Sequence, residues 1–346
     1  MELLKQMCES HAPPGYEDEM IKLMKREFER VGASVQLDKL GNVIAKKGEG
    51  RPIVMITAHM DEVGFVVKHI DKDGFIWFIP IGGLYDPTIY NERVVLHGKE
   101  KVYGVIGSKP PHIMEEEELK KLPKWKSMFI DVGASGKKEV EKLGIRVGTP
   151  ITFDREFKRL NENVVTGKAM DDRVGCRVLV DVMERVKDFK GTLYAVATVQ
   201  EEVGLKGARV SAYRIKPDVA FVIDVGFAKS PGSEEKEIDT ELGKGPIITY
   251  VEARGAGLIS DPYLTKWLTE VAKKERVPYQ VDVTTGGMTD GAVIAITGEG
   301  IPCVSIGVPC RYIHSPVEVV DIRDVRNTSK LLVKAIERGV PEVFPV

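Results

Sequence analysis

The sequence predicts an α/β protein in two parts, with a small β-rich module inserted into a larger α/β domain. Three observations carry this. Apolar runs at 52–58 (PIVMITA), 193–199 (LYAVATV) and 219–223 (VAFVI) read as strands buried on both faces. Amphipathic helical segments alternate with them. Between Val63 and about Phe157 that rhythm stops, and short strands follow one another between Gly-rich or charged turns.

The first element is a helix over 17–31, where Met20, Leu23, Met24, Phe28 and Val31 share one face and Gly32 supplies a stop. Short strands follow at 33–37 and 42–46, then the buried run at 52–58. In the insert, VGFVVKHI and GFIWFIPIGG flank Asp71, Lys72, Asp73 and Gly74, a hairpin signal. ERVVLHG, KVYGVIG, SMFIDVG and TPITFD are further strands, with one short helix expected within 131–143. The acidic run 115–118, followed by Lys120 and Lys121, reads as a solvated loop. After about Asn161 come a helix over 172–186, two buried strands, and a helix to about Glu275 capped by Ser260 or Asp261 with Pro262 in its first turn. Strands at 279–283 and 303–306 and a closing helix over 325–338 complete the chain.

Composition excludes several function classes. Of 346 residues, 43% are hydrophobic and 29% charged, which argues against disorder. Lys plus Arg (50) nearly balance Asp plus Glu (52), so no electrostatic reason for a nucleic-acid partner exists. No apolar run is long enough to cross a bilayer, and the N-terminus does not read as a signal peptide. Cys8, Cys176, Cys303 and Cys310 form no CxxC pair and read as reduced thiols of a cytoplasmic protein. Abundant Lys and Glu with scarce Asn and Gln lean towards a thermophilic source.

Polar residues recur just past the buried strands. PIVMITA ends in His59, Met60 and Asp61; LYAVATV ends in Gln200, Glu201 and Glu202; VAFVI ends in Asp224. The strand at 303–306 leads across 308–313 to His314, and Asp171 with Asp172 stands at the mouth of a helix. In open α/β sheets, ligands bind beyond the carboxyl ends of the strands. Each piece alone has a structural explanation, as a core histidine, a surface acidic pair or a helix cap. Together they place six carboxylates and two imidazoles at one edge, which needs compensating charge. A pair of divalent cations provides it, and His plus carboxylate donors suit zinc, cobalt or manganese. Asp61, two residues beyond His59, can accept the second imidazole N–H. The side chains of Glu201 and Glu202 point apart, so one can hold metal while the other serves as general base.

At these residues the chain resembles the tetrahedral (TET), or deblocking, aminopeptidases among the di-zinc exopeptidases. The resembling stretches run nearly end to end and include AHMDEVG from Ala58, AMDDR from Ala169, VQEEVG from Val199, Ile223 with Asp224, Gly286 and Gly287 through Asp290, and RYIHS from Arg311. The resemblance implies a mixed-sheet catalytic domain (1–64 and 159–346) and a β-barrel-like dimerisation insert (65–158). It implies two Zn²⁺ or Co²⁺ ions per subunit, with Asp171 bridging, His59 and Asp224 on one, and Glu202 and His314 on the other. Glu201 becomes the general base, Asp61 and Asp172 support the ligands, and a non-proline cis peptide is expected between Asp171 and Asp172. Peptides are the implied substrates, and dimers assembling into a hollow tetrahedral homododecamer the implied partners.

Met288 interrupts a segment that is often all glycine, and Cys310 stands where a small residue is common. With Thr289 and Asp290 they are candidate pocket residues, and they suggest preference for small or neutral N-terminal residues. A carboxypeptidase or amide deacylase on the same scaffold is the alternative reading. His11, His69, His97 and His112 read as structural or surface residues.

Overall fold

Eleven strands of the described residues form one sheet, and six more close a barrel beside it. The computed structural model describes residues 1–341; residues 342–346, the end of the expected segment 159–346, lie outside it. The sheet comprises β1 (Ser34–Leu37), β2 (Val43–Glu49) and β3 (Ile53–His59). The chain then leaves for the barrel: β4 (Gly64–Ile70), β5 (Ile76–Ile81), β6 (Arg93–His97), β7 (Lys101–Gly107), β8 (Phe129–Asp131) and β9 (Pro150–Phe153). It returns through β10 (Lys158–Arg159), β11 (Val164–Gly167), β12 (Gly191–Thr198) and β13 (Val219–Phe227), then β14 (Ile247–Val251), β15 (Gln280–Val283), β16 (Cys303–Arg311) and β17 (Glu318–Asp321). Helices are α1 (Glu2–Glu9), α2 (Asp18–Arg30), α3 (Glu116–Leu119), α4 (Lys137–Lys142), α5 (Met170–Arg185), α6 (Lys206–Ile215), α7 (Pro262–Lys274), α8 (Gly291–Ile294) and α9 (Ile322–Arg338).

The sheet is mixed. Strands β12, β3, β13 and β16 run parallel, while β2 and β17 pair antiparallel to their neighbours and β14 is antiparallel to β16 but parallel to β15. The parallel group explains the continuous apolar runs, because both of its faces are covered. Val54, Ile56 and Ala58 of β3 pack into the main core with α1, α2, α5, α7 and α9, while Met55 turns to the opposite core with α6 and α8. Such a period of two on a strand buried from both sides leaves no charged position until the strand ends; Thr57 is the one polar residue of β3 before His59.

The barrel has its own core, in which Phe65 meets Phe78 and Phe153 edge to face at centroid distances of 5.1 and 5.2 Å. The Asp71–Gly74 turn joins β4 to β5, with Gly74 at φ +95°.

Some elements differ from expectation. Residues 116–119 form a short exposed helix rather than a loop, held by a capping box between Glu115 and Glu118. The strands expected to stop at Ile223 and Ile306 run on to Phe227 and Arg311, so Asp224 and Cys310 lie inside strands. Helix α7 is capped by Asp261, whose carboxylate accepts the N–H groups of Tyr263 and Leu264. The four cysteines are free and buried. No helix of the described residues is long and apolar enough to cross a membrane.

Candidate metal centre

The parallel strands deliver their polar residues to one edge, where a cavity of about 480 Å³ opens. His59, Asp171, Glu201, Glu202, Asp224 and His314 all line it. Asp171 sits at the centre. Its Oδ1 lies 2.9 Å from His59 Nε2 and its Oδ2 lies 3.2 Å from His314 Nε2. His314 Nε2 is also 3.3 Å from Glu202 Oε1, and Asp224 Oδ1 is 3.9 Å from His59 Nε2.

The second nitrogen of each imidazole decides what the first can do. His314 Nδ1 lies 2.6 Å from the carbonyl of Gly83, in the loop after β5 of the barrel. His59 Nδ1 lies 3.2 Å from the backbone carbonyl of Asp61. A carbonyl only accepts, so each Nδ1 carries a hydrogen and each Nε2 is the nitrogen turned to the carboxylates. An Nε2 held about 3 Å from a carboxylate has either a proton or a metal cation between them, and the surrounding carboxylates outweigh burial and raise both imidazoles above their ordinary range, so the proton stays where no cation is bound. Glu202 Oε1 is buried without a hydrogen-bond partner, which suits a cation. Donor atoms of His59, Asp171 and Glu202 lie within 4.8 Å of one another, and so do those of His59, Asp172 and Asp224. Asp172 is the weaker donor of its set, because its oxygens already accept the N–H groups of His59 (3.3 Å) and Gly175 (2.9 Å). The residues present therefore fit divalent cations.

Electrostatics separates the carboxylates. Burial opposes ionisation of Asp171, but the His314 and His59 imidazoles outweigh it and hold its carboxyl below the ordinary range. Burial pushes Glu201 and Asp224 well above that range, against the pull of His59; neighbouring carboxylates add to the rise. These directions belong to the site without cations, whose charge would favour the ionised form of every carboxylate that binds them.

Three buried carboxylates hold the backbone of the site. The oxygens of Asp61 accept the N–H groups of Glu201 (3.0 Å) and Glu202 (3.1 Å). This differs from the expected imidazole contact: the Asp61 carboxylate lies 3.6 Å from His59 Nδ1, farther than the residue's own carbonyl. Asp172 fixes the start of α5 to the end of β3 across a cis Asp171–Asp172 peptide. Glu318, which sequence reasoning passed over, accepts the N–H groups of Asp171 (3.0 Å) and His314 (2.8 Å).

Comparison with known proteins follows this geometry. A family described as "M42 glutamyl aminopeptidase" matches residues 41–331. The chain belongs to the M42 aminopeptidase family. It is 39% identical to the lysyl aminopeptidase of Pyrococcus furiosus, over 99% of this chain and 98% of that one. An aminopeptidase from the archaeon Desulfurococcus kamchatkensis superposes with a TM-score of 0.94 at 46% identity, covering 99% of this chain and 95% of that one. A Pyrococcus horikoshii TET1 peptidase, described as able to assemble into a tetrahedron or a large octahedral shell, gives 0.87 at 32% identity, covering 97% and 98%. The chain is thus a peptide hydrolase of a metal-dependent family.

Among the M42 pocket candidates, Met288 lines the cavity and is half exposed, and Thr289 lines it while bonding Glu252 at 3.0 Å. Asp290 and Cys310 do not line it. Asp290 is buried, 2.6 Å from Thr198 Oγ1, and Cys310 packs into the main core from within β16. His11 and His97 both hydrogen-bond Thr152 Oγ1 of β9, at 2.7 and 2.9 Å.

Proposed function

We propose that this aminopeptidase works with two divalent cations that share Asp171, and that Glu201 is its general base. The observation that carries the reading is Asp171 itself, whose two oxygens face two different imidazoles, each presenting Nε2. In this reading His59 and Asp224 hold one ion, and Glu202 and His314 the other. Bound there, Zn²⁺ or Co²⁺ supplies Lewis-acid polarisation of the scissile carbonyl and acidifies water. Glu201, which has a depressed tendency to ionise, takes the proton from the attacking water and returns it to the leaving amine. Asp61 fixes the Glu201 and Glu202 amides, so base and ligand keep their separation.

The cavity lining supports cleavage from the amino end. Among the described residues it holds no Lys or Arg to bind a C-terminal carboxylate, which the carboxypeptidase alternative requires. The preference for small or neutral first residues expected from Met288 and Cys310 loses its basis, since Cys310 lies outside the cavity and Met288 stands half exposed at its edge. The printed names of the relative and the family, lysyl and glutamyl, are of opposite charge and do not decide the preference.

We also infer self-association through the barrel, with a tetrahedral homododecamer as the assembly; the P. horikoshii relative supports it. Four free cysteines suit a cytoplasmic setting. The test of the catalytic reading is a pair of short peptides, one with a free and one with an acetylated N-terminus. First-residue release from the free peptide alone is expected. Release of the last residue from both peptides contradicts it.

A further inference from the structure

Away from the histidines, the cavity runs over an ordered row of polar side chains. Ser305 of β16 stands opposite Thr249 of β14, and Thr249 stands opposite Asp282 of β15. Residues directly paired across a sheet project to the same face, and all three line the cavity. Two strand spacings separate Ser305 from Asp282, roughly 10 Å. The Asp282 carboxylate is therefore far from the strand ends that carry the ligands, and only a long side chain reaches it.

Asp282 is free to receive such a side chain. Its Oδ1 accepts the N–H of Val283 at 2.7 Å, and among the described residues it has no ion-pair partner. Lys236, which shares the shallow surface on its other side, is paired with Glu234. Glu252, the other acid on this side of the cavity, is already occupied by the N–H groups of Leu258 and Thr289 and by Thr289 Oγ1. Two residues beyond Asp282, Thr284 Oγ1 is buried and unpaired on the same cavity wall. Phe227 and Val225 supply apolar wall for the stem of a side chain, and a cation over an aromatic face gains further attraction. Half-burial raises the Asp282 carboxyl above its ordinary range, a strain that an incoming cation relieves.

We propose that Asp282, at the end of the Ser305–Thr249–Asp282 row, is the specificity residue for the first side chain and selects lysine or arginine. The proposal rests on the aminopeptidase reading above, in which the substrate's amino end lies at the histidine–carboxylate cluster. In that reading bound cations would offset the four acids there, which leaves Glu252 and Asp282 as uncompensated charge in a cavity that no Lys or Arg of the described residues lines. A glutamyl side chain would meet repulsion at the same place.

The experiment uses the metal-loaded full chain and the p-nitroanilides of lysine, arginine, norleucine and glutamate. Lysine and norleucine differ in the terminal ammonium and little in length. Lysine is expected to exceed norleucine in kcat/KM by on the order of tenfold or more, the scale of a charge-assisted hydrogen bond. Asp282→Asn should bring that ratio close to one, and Asp282→Lys should shift preference towards glutamate. A parent enzyme that handles norleucine as well as lysine overturns the proposal, as does an Asn variant that keeps the parent ratio. Calorimetric binding of lysinamide and norleucinamide separates the two claims. Tighter lysinamide binding that Asp282→Asn abolishes, with no anilide hydrolysed, upholds the subsite and sinks the aminopeptidase reading. Equal binding of the two amides sinks the subsite whatever the hydrolysis shows.

Discussion

Glu318 Oε2 lies 3.0 Å from the backbone nitrogen of Asp171, the residue whose side chain faces both imidazoles. Its other oxygen holds the amide of His314 at 2.8 Å, so one buried carboxylate ties together α5 and the loop between β16 and β17. Glu318→Gln keeps the shape but has only one acceptor oxygen, and one of the two amides loses its partner. Outer partners of metal ligands typically account for about 10- to 100-fold in metal affinity. A loss of that size is expected in a Co²⁺ titration followed by absorbance, with Glu318→Asp recovering little because its shorter arm cannot span both amides. Parent affinity in the Gln variant would leave Glu318 as packing only.

Glu201 is assigned the proton and no metal. Glu201→Gln should lower kcat by roughly 10²- to 10⁴-fold, the usual contribution of a positioned base. Metal content per chain should stay at the parent value, since the carboxylates and imidazoles of the other five residues are untouched. Steady-state kinetics with elemental analysis of the same sample checks both halves. Turnover at the parent rate would reject Glu201 as the base.

A pH effect on stability follows from Asp324, which does not line the cavity. Burial is the largest influence on this carboxyl and raises it to about 6, although it accepts the N–H groups of Gly243 and Gly245. In the unfolded chain it returns to about 3.9. Between these values the folded state binds more protons than the unfolded one, so stability falls as pH rises from about 4 to 6. A shift of roughly two units corresponds to about 3 kcal/mol. Asp324→Asn removes this component. Denaturant melts at pH 4 and pH 7 should show a smaller pH difference in the variant than in the parent; equal differences would contradict the assignment.

Much of this was legible in the sequence for a physical reason. Strands β3, β12 and β13 are buried on both faces, so their apolar runs break only where the chain reaches the open edge, and His59 and Glu201 mark those breaks. Asp224 was found by the same signal although β13 carries on past it to Phe227. Cys310 was misread because β16 also runs on, which turns its side chain into the core instead of towards the substrate. Helix α6 was missed: only four of its residues are buried and its apolar stripe is thin. Glu318 left no trace because it serves backbone N–H groups, which every residue carries, and no side-chain pattern records them. The role of the Asp61 carboxylate was hidden for the same reason.

The most direct test of the metal assignment is anomalous scattering from crystals of the zinc- or cobalt-loaded protein. Two peaks are expected, one on each side of the Asp171 carboxylate, the first against His59 and Asp224 and the second against Glu202 and His314. A single peak, or a pair that does not share Asp171, would contradict the two-metal centre proposed here.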